Sequence, residues 1–282
     1  MDLGAVRGLT WHSGVRLSVA GSEGLLMSRL SRGWRPWCVI LTFASAAPIA
    51  QGFGGTGDHG RLPAEAADLL LSAYFRQFLD ERDLDAFRDR VDARYGEDEL
   101  CRLASRSVAD ETRRAAVAAL GLLGTFRKSN PVLGRALRDR DPIVRRMAEQ
   151  ACWSLWFRAD TPEHNEALRE VIATARRGEL DRADQLASRL IEEAPDFAEA
   201  YNQRAIIAFE QGKLDESARD CERVLERNPY HFGALGGLAQ CQMSLDRPDE
   251  ALQTLQRAAR LQPYNLGIKD GIRRLAARMA LD

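Results

Sequence analysis

HNEALREVIATARRGELDRADQLASRLIEEAP (residues 164–195), DFAEAYNQRAIIAFEQGKLDESARDCERVLERNP (196–229) and YHFGALGGLAQCQMSLDRPDEALQTLQRAARLQP (230–263) repeat one pattern at a spacing of 34 residues. Gly178 recurs as Gly212 and then as Asp246, Leu180 as Leu214 and Pro248, Ala183 as Ser217 and Ala251, and Pro195 as Pro229 and Pro263. A period of this length, with small residues and a closing proline at set offsets, predicts a stacked helix–turn–helix array. The glycines stand where a helix ends and a left-handed backbone costs glycine least. The prolines end the second helix of each pair, because proline cannot continue it and biases the residue before it toward extended backbone. One hairpin cannot bury its own apolar face, so neighbours supply each other's core.

The offsets can be read in full. The middle copy gives Tyr201, Arg204, Ala205 and Ala208, then Ser217, Cys221 and Pro229. The third gives Leu235, Leu238, Ala239 and Gln242, then Ala251, Leu255 and Pro263; the first, weaker, gives Ala167, Glu170, Val171 and Thr174, then Ala183, Ala187 and Pro195. This stretch, roughly a third of the chain, resembles tetratricopeptide repeats. The resemblance implies that the first helix of each pair lines a concave groove. Carried over by position, the groove residues are Leu168, Ile172 and Arg176, then Asn202, Ile206 and Phe209, then Gly236, Gln240 and Met243. An apolar floor with a few amides suits an extended peptide or a helix with apolar anchors. The family's clamp for a terminal carboxylate is not expected, because its positions hold Leu168, Ile172, Gln203, Gly233 and Gly237. Residues 265–281, with Leu266, Ile272, Leu275, Ala276 and Met279, read as a helix capping the last apolar face.

Upstream, helical spacing runs from Ala64 to Asp80, then through Leu84, Phe87 and Val91 to a stop at Gly96. Thr112-Arg113-x2-Ala116-x2-Ala119 and Val144-Arg145-x2-Ala148-x2-Ala151 follow, 32 residues apart. Asn130-Pro131, Asp141-Pro142 and Thr161-Pro162 all read as helix starts, with a side-chain cap followed by a residue that lacks an amide hydrogen. Asp141 to Ala148 resembles a HEAT-type repeat, although the first copy has Ala109 and Asp110 in place of Asp-Pro. Trp153, Trp156 and Phe157 read either as an aromatic platform or as filler where the first array meets the second.

At the start, Arg29, Arg32 and Arg35 precede a short apolar run, Trp37 to Ala47, that ends in Ala44-Ser45-Ala46. This resembles a secretory signal peptide whose true start is Met27, and the run is too short for an ordinary spanning helix. The alternatives are a membrane anchor formed by residues 37–47, or a cytoplasmic protein with no signal. Glycine-rich residues 51–60 read as a tether.

The expected architecture is therefore all-α, a right-handed helical-repeat solenoid. Residues 1–46 form the signal region, 47–62 a linker, 63–158 a HEAT-like region, 163–263 three tetratricopeptide repeats and 264–282 a capping helix. No chemistry stands out. Four scattered histidines offer no zinc spacing, and GGTG at 54–57 is not followed by Lys-Ser or Lys-Thr. Cys221 and Cys241 lie on helices expected to stack, so either a disulfide or small buried fillers fit. Residues 1–46 carry five arginines against Asp2 and Glu23, a net of +3, which leaves −4 for the rest of a chain whose total is −1. That acidic balance argues against nucleic acid. The expectation is a non-catalytic scaffold of the cell envelope, needing no cofactor, metal or small-molecule substrate, with a protein or peptide partner and membrane contact only through an uncleaved signal. The alternative is a cytoplasmic scaffold or an enzyme-associated accessory subunit.

Overall fold

The computed structural model describes residues 64–281, and every regular element among them is an α-helix. The signal, anchor and linker readings fall outside the described residues. The first half contains α1 (Ala64–Glu81), α2 (Leu84–Asp92), α3 (Glu97–Arg106), α4 (Asp110–Leu123), α5 (Phe126–Ala136) and α6 (Pro142–Trp156). The repeats follow as α7 (Pro162–Arg176) with α8 (Leu180–Glu193), α9 (Ala198–Glu210) with α10 (Leu214–Arg227), and α11 (Phe232–Ser244) with α12 (Pro248–Leu261); α13 (Leu266–Met279) closes the chain. From α7 onward each helix packs on the next, so three antiparallel pairs stack and α13 seals α12. The architecture is a helix-pair solenoid.

The turn inside each pair is built three times from the same hydrogen bonds. Gly178, Gly212 and Asp246 take φ of +80°, +76° and +56°. Their amides donate to the carbonyls of Ala175, Phe209 and Met243 at 2.9, 3.0 and 3.3 Å. The next amides, of Glu179, Lys213 and Arg247, donate to Thr174, Ala208 and Gln242 at 3.3, 2.8 and 2.8 Å. This double bond pattern consumes the orphan carbonyls of a helix end and needs one left-handed residue. Small side chains then let the paired helices meet: Ala183, Ala205, Ser217, Ala239 and Ala251 are fully buried. Ser217 Oγ donates 2.7 Å to the Ala205 carbonyl across the second pair.

In the first half, α3 and α5 lie side by side, as do α4 and α6. Gly121 permits the second contact, since a Cβ there would stand 2.8 Å from that of Ala151. The two aspartate–arginine strings fold into a polar ladder at the helix starts. Arg113, 5% exposed, grips both Asp139 oxygens at 2.8 and 2.9 Å and Asp110 at 2.7 Å. The hydrogen bond to Asp139 leads in holding the Arg113 guanidinium charged, against the opposing effect of burial. Arg145, its counterpart, donates to the Asp139 and Arg140 carbonyls at 2.7 and 3.1 Å. Arg158 caps the end of α4 through the carbonyls of Gly124 and Gly121, and burial lowers its pKa to about 10.

Three local expectations are corrected. Asn130-Pro131 is not a helix start: α5 begins at Phe126, and Pro131 lies inside it. The first turn of α5 is held by the buried Glu97 carboxylate, which accepts from the Thr125 amide at 2.6 Å and from Ser129 Oγ at 2.7 Å, a long-range cap that no local pattern announces. Gly96 does not stop α2, which ends at Asp92; it is the extended residue preceding α3. Leu266 and Ala276, assigned to the sealed face of the capping helix, are exposed, Leu266 to 71%, while Leu275 is buried. Asp141 and Thr161 do cap their helices, accepting from the amides of Ile143 and His164.

Candidate protein-binding surface

The first helices of the repeats carry the expected groove residues. Ile172, Ile206, Phe209, Gln240 and Met243 are half-buried, and Arg176 is exposed. Leu168 and Asn202 are 0% and 2% exposed, so they act within the packing. Val171 and Ile207, beside the groove positions, enter a core with Ala183 and Ala187.

Asn202 belongs to a buried network. Its Nδ2 donates 2.8 Å to Glu199 Oε1, which also accepts from Gln203 Nε2 at 2.7 Å. The other carboxylate oxygen lies 3.1 Å from His231 Nε2. His231 Nδ1 accepts from the Ala234 amide at 2.9 Å and so caps α11. An accepting Nδ1 leaves the ring hydrogen on Nε2, where it donates to Glu199. Both side chains are completely buried. The network fastens the start of α9 to the start of α11.

The first half of the chain reaches this network. Trp156, 1% exposed, stacks on the His231 ring with centroids 4.2 Å apart. Its Nε1 donates 2.8 Å to Asn130 Oδ1, and Asn130 Nδ2 donates 2.9 Å to Asn228 Oδ1. Trp153 packs edge-on to Phe232 at 5.3 Å and against Gly233, where a Cβ would fall 2.7 Å from the indole. Tyr230 lies on Gly134 of α5, leaving no room for a Cβ. One turn further on, Gln262 Nε2 donates 2.7 Å to Glu149 Oε1, and Arg145 sits 4.0 Å over the Tyr264 ring. Burial pushes the Glu149 carboxyl up, a shift that the Gln262 hydrogen bond opposes.

The aromatic cluster is therefore seam packing, but at an unexpected place. Trp153 and Trp156 meet the turn that enters the third repeat, far along the chain, while Glu149 and Arg145 of the same helix meet the turn before the capping helix. The 34-residue period puts the helix starts at Ala198, Phe232 and Leu266 in register, and α6 touches the second through Trp153 and Trp156 and the residues before the third through Glu149 and Arg145. Sequence reasoning passed over Glu199 and Tyr230 and took His231 only as one of four scattered histidines. The available signal was the recurrence of Phe197, His231 and Asn265 at the position before each first helix, where His231 and Asn265 supply side-chain caps.

Among the described residues, no group of three or more His, Cys, Asp or Glu side chains could hold a metal ion. Cys101, Cys152, Cys221 and Cys241 are free thiols, and Cys241 Sγ donates to Ser217 Oγ at 3.2 Å. No described helix is long and apolar enough to cross a membrane.

Two family models described as tetratricopeptide repeat match residues 168–230 and 208–264. No curated protein matches the chain. Among solved structures, "MamA MSR-1 C2" is 22% identical over 55% of this chain and 85% of its own, with a TM-score of 0.38. The "TPR2AB-domain:pHSP90-complex of yeast Sti1" is 19% identical over 76% of this chain and 98% of its own, with a TM-score of 0.37. YrrB, described as a TPR protein with an unusual peptide-binding site, is 16% identical over 71% and 98%, with a TM-score of 0.36. Residues 168–264 are accordingly a tetratricopeptide-repeat segment, carried in a chain whose described residues are all helical.

Proposed function

We propose that this protein is a non-catalytic scaffold that holds a polypeptide partner along the inner helices α7, α9 and α11. One observation carries the reading: tetratricopeptide repeats present Ile172, Ile206, Phe209, Gln240 and Met243 half-buried, with Arg176 exposed at the groove's first repeat. Partly exposed apolar side chains on a rigid helical frame suit an extended or helical peptide with a few apolar anchors. Leu168 and Asn202 support that surface from below. The right-handed path and the division into a HEAT-like region followed by three repeats, within the boundaries given above, belong to the same proposal.

Panning a displayed peptide library against the full chain tests the reading. Peptides with two or three apolar anchors should be enriched, and Phe209→Ala with Met243→Ala should weaken them about tenfold or more. Enriched peptides indifferent to both changes would refute the groove. For location, we propose export directed by the segment from Met27 to Ala47. The competing reading is a cytoplasmic scaffold, which needs no leader and leaves the repeat function unchanged. Fractionation with mass spectrometry of the mature amino terminus separates them: cleavage after Ala46 supports export, and intact residues 27–46 in the cytosol refute it.

A further inference from the structure

A second surface lies in the first half of the chain, where α3 and α5 run side by side. Between them is an open cleft of about 600 Å³, lined by Asp98, Cys101, Arg102 and Arg106 from α3 and by Val132 and Arg135 from α5. Its charges are unevenly satisfied. Asp98 is held by Lys128 at 2.9 Å, and Arg102 leans on Glu99 at 3.6 Å. Arg106 and Arg135 are exposed and have no hydrogen-bond or ion-pair partner among the described residues. Two unpaired guanidinium groups, of Arg106 and Arg135, thus stand beside two pairs already neutralised, Lys128–Asp98 and Arg102–Glu99, in a body whose overall balance is acidic. Burial pushes the Cys101 thiol up to about 11, so the cleft holds no reactive thiolate at neutral pH. What remains is a cationic rim over the buried Val132 side chain.

We propose that the α3–α5 cleft binds an acidic peptide segment of a protein partner, with Arg106 and Arg135 pairing its carboxylates. Guanidinium groups on two parallel helices can fork onto successive carboxylates of an extended chain. The open shape favours a chain that runs through the cleft over a small anion enclosed by it. This surface shares no residue with the proposed groove, since its lining lies on α3 and α5 and the groove residues lie on α7, α9 and α11.

The test uses the full chain and a fluorescent peptide of alternating glutamate and alanine, with a glutamine–alanine peptide as control. Anisotropy should show binding of the glutamate peptide alone, weakening as salt rises. Charge-assisted pairs of this kind correspond to about tenfold each, so Arg106→Glu with Arg135→Glu should weaken binding at least about tenfold. Arg106→Lys with Arg135→Lys should retain part of it. Arg257→Glu with Arg260→Glu, equal in charge on exposed positions of α12, should leave binding within about twofold, as the low yield of diffuse surface charge implies. Phe209→Ala with Met243→Ala should also leave it intact, which separates failure here from failure of the groove. Equal losses in the α3–α5 and α12 charge variants would overturn the proposal. So would no binding, or preferential binding of inorganic phosphate or anionic vesicles over the glutamate peptide.

Discussion

Asp246 sits at φ +56° in the turn where the first two repeats use glycine. The hydrogen bonds of the turn are unchanged, so the backbone geometry is enforced by the helix end and the side chain conforms to it. Aspartate is among the few residues that visit this region at modest cost. Nothing stands within 4 Å of a Cβ built on Gly212, so any penalty for a side chain there comes from the backbone alone. Gly212→Ala should therefore lower stability by about 1 kcal/mol in urea unfolding, with no change in helix content. Glu149 yields a pH prediction. Its folded carboxyl is raised chiefly by burial, so its contribution to stability is whole below the unfolded carboxylate range and is lost as pH rises through the folded value. Glu149→Gln removes that loss. Its melting temperature should exceed wild type near neutral pH and converge with it in acid, by calorimetry across pH.

The element that departs most from its reading is α5. Its Asn-Pro pair reads locally as a helix start, yet a carboxylate on α3 caps the helix five residues earlier and Pro131 is carried within it. Asn130 is thereby turned into the seam, between Trp156 and Asn228. No window along α5 contains that information, because Glu97 and Asn228 are remote in sequence. Gly134 is the second sign of the same packing. Gly134→Ala must displace the Tyr230 ring, and overpacking of this kind costs about 1–3 kcal/mol. Tyr230→Ala should recover most of that loss in a double-mutant cycle; additive losses would mean that the two do not touch.

The two halves of the chain form one cooperative body only if the seam holds. It combines a buried Trp–His stack, the Asn130–Asn228 pair and the Glu149–Gln262 hydrogen bond. Removing a buried tryptophan costs about 3–5 kcal/mol, comparable with the stability of a small domain. Trp153→Ala with Trp156→Ala should split thermal unfolding into two transitions, one for each half, while the wild type shows one. A single shifted transition in the double variant would show that the halves are coupled by some other route.

What can be read along the chain is what short-range physics controls. The left-handed turns at Gly178 and Gly212, the closing prolines and the caps at Asp141 and Thr161 depend on residues a few positions apart, and the 34-residue period repeats them, so the helix-pair solenoid is legible along the chain. The placement of the proposed groove positions on α7, α9 and α11 follows from the same period, whereas their burial does not: Leu168 and Asn202 lie in the packing and Ile172, Ile206, Phe209, Gln240 and Met243 are half-buried. The place of α6 along the repeat turns, the burial of Asn202 under Glu199 and His231, and the α3–α5 cleft are not legible there. Each depends on contacts between segments far apart in sequence, where burial and chain closure, rather than local propensity, choose among arrangements that the helices alone would all permit.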